Sequence, residues 1–228
     1  MQLFNDDCLK VLPTIPDKSI DLILTDPPYG TTQCKWDSVI PFESMWKELK
    51  RITKDNGCIA LFGSEPFSSH LRLSNLDWFK YDWVWNKKRI SNPLLAKKQP
   101  LRNIELISIF YKKQPTYNPQ PTLKKTSKGF SNKSHNKFHT TDTVSTKYID
   151  NRNTPNIGYP KVLLEHIKVI NNLSKDKAGL HPTQKPIELC EYFIKTYTKI
   201  GVMQGRLLPK YKGRFQAHPV GYWQKEFP

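Results

Sequence analysis

Along the chain, short uninterrupted apolar runs alternate with stretches in which apolar residues recur every three or four positions, the signature of buried strands covered by amphipathic helices. Leu22-Ile23-Leu24 is the clearest run. It is apolar on both faces of the pleat, as a strand inside a parallel sheet must be, and Pro27-Pro28 stops it because proline donates no ladder hydrogen bond. Over residues 42–52, Met45, Trp46, Leu49 and Ile52 fall on one helical face; Asn56-Gly57 closes that helix and 58–63 reads as a second buried strand, completing a parallel strand-helix-strand crossover. Upstream, 1–4 predicts a short strand and 8–12 a helix broken by Pro13, with Asp7 placed either to cap the helix or to hydrogen-bond a nucleoside. Downstream, 68–76 predicts a helix, and Phe79, Tyr81, Trp83 and Trp85 alternate with Lys80, Asp82 and Val84 as a strand whose aromatic face packs under a helix. Residues 105–111 form one more apolar strand, apolar patterning returns over 162–170, and 187–197 is an amphipathic helix with Leu189, Cys190, Phe193, Ile194 and Tyr197 inward. The fold class is α/β.

Periodicity fails over 112–159, where Pro115, Pro119, Pro121, Gly129, Pro155 and Gly158 interrupt Lys-, Asn-, Ser- and Thr-rich sequence. Charge marks the same region. Residues 1–85 carry 9 basic and 12 acidic side chains, 86–175 carry 18 and 4, and 176–228 carry 9 and 4, so the net charge of +16 is concentrated in the middle. A polycation lying between two patterned segments and dotted with aromatics fits a nucleic-acid surface: Lys124, Lys125 and Lys128 suit phosphates, and Tyr117, Phe130 and Phe138 suit stacking on bases. Lys87, Lys88 and Arg89, at the end of the aromatic strand, are placed to reach phosphates as well. The 228 residues suffice for one sizeable core with an inserted module. No apolar run approaches membrane-spanning length and the N-terminus has neither a basic flank nor an apolar signal core, so the cytoplasm is the expected compartment. Cys8, Cys34, Cys58 and Cys190 lie far apart and read as reduced structural thiols; no metal is expected.

The chemistry gathers where the first run stops. Asp26 sits at a strand's carboxyl end, where open α/β sheets place their ligands. Pro27 and Pro28 stiffen the backbone on which a carboxylate, a backbone carbonyl and the ring of Tyr29 are presented. Two acceptors suit an exocyclic amino group, and a neighbouring ring suits stacking on a flat base. Residues 31–37, polar and next in line, read as a mobile loop over the substrate.

Asp26-Pro27-Pro28-Tyr29 resembles the catalytic motif of amino-methyltransferases, which move a methyl group from S-adenosylmethionine to adenine N6 or cytosine N4 in DNA. Leu180-His181-Pro182-Thr183-Gln184-Lys185-Pro186, followed by a helix, resembles the segment of the same family that lines the methionine end of the cofactor. The order of catalytic corner, basic insertion and His-Pro-Thr-Gln-Lys-Pro is that of the beta class. The resemblance implies a partial Rossmann-like methyltransferase sheet with an antiparallel edge hairpin made of the aromatic strand and 105–111. It implies a catalytic half over 1–111, a basic target-recognition insertion over 112–160, a return to the methyltransferase domain over 161–199 and an atypical tail over 200–228. It implies catalytic roles for Asp26, Pro27, Pro28 and Tyr29, and contact with the cofactor S-adenosylmethionine by Asp7, His181, Pro182, Thr183 and Lys185. The DNA partner would meet Lys87, Lys88, Arg89, Lys124, Lys125 and Lys128, with the target base flipped out of the duplex.

The chain departs from the class after Lys199. Where an acidic, Gly-rich strand end should follow, it reads Ile200-Gly201-Val202-Met203-Gln204-Gly205-Arg206, with no Asp and no closely spaced glycines to let backbone amides approach a cofactor. Residues 201–228 are too few to supply the missing strands, and their start resembles instead the opening of a TIM-barrel sugar-phosphate isomerase or epimerase; a truncated or chimeric frame is the expectation. Two readings follow. One is a methyltransferase acting on adenine N6, because Asp heads the motif in most adenine enzymes of the family. The other is a remnant that binds nucleic acid without turnover, and the basic insertion does not separate DNA from RNA.

Overall fold

A computed structural model describes residue 4 and residues 6–32, 37–123, 157–165, 167 and 185–199, together with the backbone of 215–218 and 222–225. Residues 1–118 and 161–228 form one compact unit and 119–160 a second.

The first unit is a mixed sheet covered on both faces. Asp7 accepts the Leu9 amide at 2.9 Å and caps α1 (Cys8–Val11), which runs on into a 3-10 turn at Leu12–Thr14. β1 (Ile20–Thr25) leads to the Asp26 corner, and α2 (Phe42–Ile52) follows with its predicted start. Its end differs from expectation. The Thr53 hydroxyl and amide both return to the Leu49 carbonyl, the helix stops, and β2 (Thr53–Gly63) begins at once, so Asn56-Gly57 lies inside a strand. Gly57 marks an irregularity there: the register of β1 on β2 shifts between Ile20↔Thr53 and Leu22↔Cys58, and a Cβ on Gly57 would stand 3.0 Å from the Ile20 carbonyl oxygen.

β1 and β2 are parallel, as the crossover requires. α3 (Phe67–Leu73) begins directly beyond Gly63, where a Cβ would stand 2.4 Å from Ser68 Oγ; only glycine allows the helix this close. β3 (Phe79–Asn86) and β4 (Ile104–Phe110) pair antiparallel, and β4 also pairs antiparallel with β2. The hairpin is therefore not the edge. β7 (Leu163–Leu164) adds parallel to β3 outside it. On the far side of β1 the backbone of β8 (Phe215–His218) and β9 (Tyr222–Lys225) forms a hairpin whose second strand lies parallel to β1 at Leu24↔Tyr222, extending the sheet where no strand was expected. The order is β7-β3-β4-β2-β1-β9-β8. In the second unit, β5 (Thr122–Leu123) pairs antiparallel with β6 (Ile157–Gly158).

Alternation along the strands sorts the core into two layers. Leu22, Leu24, Cys58, Ala60, Phe62, Trp83 and Trp85 face α4 (Ile187–Tyr197), whose Leu189, Cys190, Phe193, Ile194 and Tyr197 are all buried as predicted. Ile23, Ile59 and Leu61 face the other way, onto α1, α2 and α3. The aromatic strand is core, not platform: Trp83 meets Tyr192 and Phe193 edge-on, and its indole N–H donates to the Tyr197 hydroxyl at 2.7 Å. Each such side chain contributes about 1.5–3 kcal/mol on burial, well above the few tenths by which helix propensities differ, so the apolar pattern decides these elements.

Candidate active site

Parallel pairing of β1 with β2 ends at Thr25↔Leu61, and the next residue is Asp26, only 8 % exposed, with Pro27 and Pro28 buried behind it. Both carboxylate oxygens are engaged. The Tyr29 hydroxyl donates to Oδ1 at 2.5 Å, and Lys185 Nζ lies 3.1 Å from Oδ2. The same ammonium is 3.0 Å from Glu105 Oε2 and 5.0 Å above the centre of the Phe62 ring. Lys87 Nζ stands 3.8 Å from the other oxygen of Glu105. Two carboxylates and two ammoniums thus alternate in a mostly buried row at the carboxyl edge of β1 and β2.

The row fixes protonation states. Burial by itself would lower the Lys185 pKa, but the charges of Asp26 and Glu105 outweigh it and hold the ammonium above the ordinary lysine value. Burial, reinforced by the charges of Asp26 and Glu105, pushes the Tyr29 phenol well above its usual value, so it remains a donor. Cys190, pushed up to about 12 chiefly by burial, is an inert thiol; Cys8, Cys58 and Cys190 are buried and unbridged. One face of the Tyr29 ring is covered by Phe67, with centroids 5.1 Å apart and planes at 28°.

A second carboxylate organises the backbone beyond the corner. Asp37, buried, accepts the amides of Tyr29 at 2.8 Å and Gly30 at 3.0 Å on Oδ1, and the amides of Thr31 at 2.8 Å and Thr32 at 2.7 Å with the Thr32 hydroxyl at 2.8 Å on Oδ2. The chain wraps round this anion through Gly30 at φ +66°, a left-handed position where a Cβ would also stand 2.8 Å from Val39 Cγ2. The expected mobile loop is therefore anchored at both described ends, 31–32 and 37. Burial would raise the Asp37 pKa; the bonds from the Thr32 hydroxyl and the Thr32, Gly30 and Tyr29 amides overcome that and lower it.

Of the residues singled out from sequence, Asp26, Pro27, Pro28, Tyr29 and Lys185 converge. Asp7 is exposed and caps α1, the first of its two expected roles. Lys87 turns inward to Glu105, whereas Lys88 and Arg89 are exposed. His181, Pro182, Thr183, Lys124, Lys125 and Lys128 lie outside the described residues. Glu105 and Asp37 were missed. For Glu105 there was a signal: it is the sole acid between Asp82 and Asp142, at the head of a strand. Beside Pro27 lies a small apolar hollow, lined by Cys8, Leu12, Ile23, Thr25 and Ile40 among others. The buried Thr25 hydroxyl on its wall has no hydrogen-bond partner among the described residues. Among those residues, too, no cluster of His, Cys, Asp and Glu could hold a metal ion, and no helix is long and apolar enough to cross a membrane.

The chain is similar to several known proteins. The type II methyltransferase M.HinfI of Haemophilus influenzae is 34 % identical over a match covering 40 % of this chain and 32 % of the relative, so the chain spans about a third of the length of that protein. Among solved structures, the PvuII DNA methyltransferase (cytosine-N4-specific) superposes with a TM-score of 0.56 at 16 % identity, covering 86 % of this chain and 70 % of the other; the likeness is one of fold. The M1.HpyAVI–SAM complex matches with a TM-score of 0.41 at 18 % identity over 84 % of this chain and 72 % of that one. A DNA methylase family model, that of the N6/N4 methyltransferases, matches residues 20–203, most of the sequence, including Asp26, Tyr29, Asp37, Glu105 and Lys185, and the chain belongs to that family.

Proposed function

We propose that the protein transfers a methyl group from S-adenosylmethionine to the N6 amino group of adenine in DNA. The observation that carries this reading is Asp26: a buried carboxylate at a strand's carboxyl end, braced on each oxygen, beside the backbone carbonyl of Pro27 and the ring of Tyr29. A carboxylate has about four lone-pair sites, so an acceptor of this kind suits an amino hydrogen. Asp26 and the Pro27 carbonyl take the two N–H bonds and aim the nitrogen lone pair, while Tyr29 stacks on a base extruded from the duplex.

As the nitrogen–methyl bond forms, the methyl–sulfur bond breaks with its electron pair going to sulfur, and the nitrogen sheds one proton. Asp26, facing the Lys185 ammonium, orients the amine, and the proton is released to water. The cofactor, when bound, supplies the electrophilic methyl. Asp7, His181, Pro182 and Thr183 are the residues that would hold it, with the unpartnered Thr25 hydroxyl close to the same strand end. Lys185 acts first as the brace of Asp26, with one N–H left for a cofactor carboxylate. Lys88 and Arg89, with Lys124, Lys125 and Lys128 of the insertion, meet the phosphates. Asp at the head of the motif favours adenine over cytosine. Methylated DNA digested to nucleosides decides this: N6-methyldeoxyadenosine is expected, and N4-methyldeoxycytidine would overturn the base assignment.

Binding without turnover is the second reading, favoured by the lack of closely spaced glycines after Lys199. Calorimetric titration separates the two: saturable binding of S-adenosylmethionine excludes the remnant, and DNA binding without it supports the remnant.

A further inference from the structure

The connection between β3 and β4, residues 87–103, is long for a hairpin and is nonetheless internally ordered. The Lys87 amide donates to the Asn103 carbonyl at 2.8 Å, the Ser91 amide to the Arg102 carbonyl at 2.9 Å and the Arg102 amide to Asn92 Oδ1 at 2.6 Å, while Pro93–Leu95 makes one 3-10 turn closed by the Ala96 amide on the Pro93 carbonyl, and the Lys98 and Gln99 amides then donate to the Leu95 carbonyl. The Arg102 guanidinium ties the loop to the Glu65 carbonyl at 2.8 Å. Order of this kind ordinarily buries apolar side chains. Here it presents them. Leu94 is 96 % exposed, and Ile90, Leu95 and Leu101 are exposed around it. Interleaved with them are Lys88, Arg89, Lys97 and Lys98, all exposed, and no acid occurs between Asp82 and Glu105.

The place of the loop matters as much as its composition. β3 ends and β4 begins beside Gly63, through the pairs Val84↔Leu106 and Gly63↔Leu106. The loop therefore rises from the same sheet edge as Asp26. Glu105, just past the loop, is joined to Asp26 through Lys185. A cationic rim with an apolar tip, standing over an amine-orienting carboxylate, complements a polyanion with an apolar interior.

We propose that the 87–103 loop is a wedge for duplex DNA: Leu94 enters the base stack beside the target and occupies the space left by the extruded base, while Lys88, Arg89, Lys97 and Lys98 hold the flanking phosphates. This rests on the methyltransferase reading above. It adds the element that separates the base from its stack, a task none of the Asp26, Lys185 and Glu105 cluster can perform.

The test uses the full chain with radiolabelled S-adenosylmethionine and unmethylated bacterial genomic DNA, either duplex or heat-denatured. Leu94→Ser, an exposed position whose change spares the core, is expected to lose about tenfold in transfer to duplex, to keep denatured-DNA transfer within twofold, and to be rescued by Leu94→Met. Wild-type transfer to duplex by Leu94→Ser overturns the wedge, and so does an equal loss on both substrates. A binding arm needs no turnover. Replacing Lys88, Arg89, Lys97 and Lys98 with Gln should lower the slope of log affinity against log salt for a fluorescent duplex by about 0.9 for each phosphate no longer neutralised. An unchanged slope, or capture by anionic phospholipid vesicles in place of DNA, overturns the assignment of the partner. Absence of transfer by the wild type to either DNA instead refutes the methyltransferase reading, leaving the wedge to be judged by the slope.

Discussion

Asp37→Asn tests how the corner is held. Five donors converge on the Asp37 carboxylate, two amides on Oδ1 and two amides with a hydroxyl on Oδ2. Asparagine keeps one acceptor oxygen and turns the other into an NH2 group. However the amide is oriented, it faces at least two N–H donors with a donor, so no rotamer satisfies the nest. Hydrogen bonds to a charged group contribute about 1.5–3 kcal/mol each, but Gly30, Thr31 and Thr32 are exposed and water recovers most of the loss. A net cost of about 2–4 kcal/mol remains, and it falls on the order of the loop. If Tyr29 and Asp26 lose their alignment by that amount, kcat/KM drops about 30- to 1,000-fold, since Asp37 is a positioning residue that acts through Tyr29. Hydrogen exchange of the Gly30–Thr32 amides should accelerate in parallel. Because the Asp37 pKa is lowered, its contribution is fully present above the unfolded carboxylate value of about 3.9 and disappears as pH falls through the folded value below that. The wild-type loop should therefore stay protected at neutral pH and open only in acid, whereas the variant is unprotected at both. Wild-type kcat/KM and unaltered exchange in Asp37→Asn would refute the reasoning.

Three further outcomes follow from other interactions. Lys185→Met leaves Asp26 and Glu105 buried without their shared cation and should cost about 3–5 kcal/mol at neutral pH, a penalty that urea melts show shrinking toward acid as the carboxylates protonate; wild type, whose Lys185 pKa is raised, keeps this contribution below the unfolded lysine value and loses it only as pH climbs through the higher folded one. Tyr197→Phe strands the buried Trp83 indole N–H and should lower the urea midpoint by an amount worth about 1–3 kcal/mol with the slope unchanged. Gly63→Ala sets a Cβ 2.4 Å from Ser68 Oγ and should lower thermal stability by about 1–3 kcal/mol, with partial recovery in Gly63→Ala combined with Ser68→Gly.

Much of the frame was legible because it is locally encoded. The helix over 187–197 was read to the residue and the start of the one at Phe42 with it, since their apolar faces, and Pro186 before the second, mark them. The Leu22-Ile23-Leu24 run marked the strand and Pro27-Pro28 its stop. Asn56-Gly57 misled: it is a turn signal, but β-branched Thr53 had already ended the helix and Gly57 serves a register shift. What stayed hidden was set by tertiary register. The Lys185 motif could be recognised, yet nothing local says that its ammonium bridges Asp26 and Glu105, because β4 must first lie antiparallel on β2 to bring Glu105 there. Asp37 looked like the far end of a polar loop, since an anion nest depends on a reversal at Gly30 that a string of Thr, Gln and Lys does not announce.

The most direct test of the central claim is transfer of labelled methyl from S-adenosylmethionine to DNA by the wild-type chain and by Asp26→Ala side by side, with circular dichroism to verify that both are folded. Asp26 as the amine-orienting group predicts incorporation by the wild type and at least a hundredfold less by the variant, about 2.7 kcal/mol or more of transition-state stabilisation. Equal incorporation by the two would contradict it.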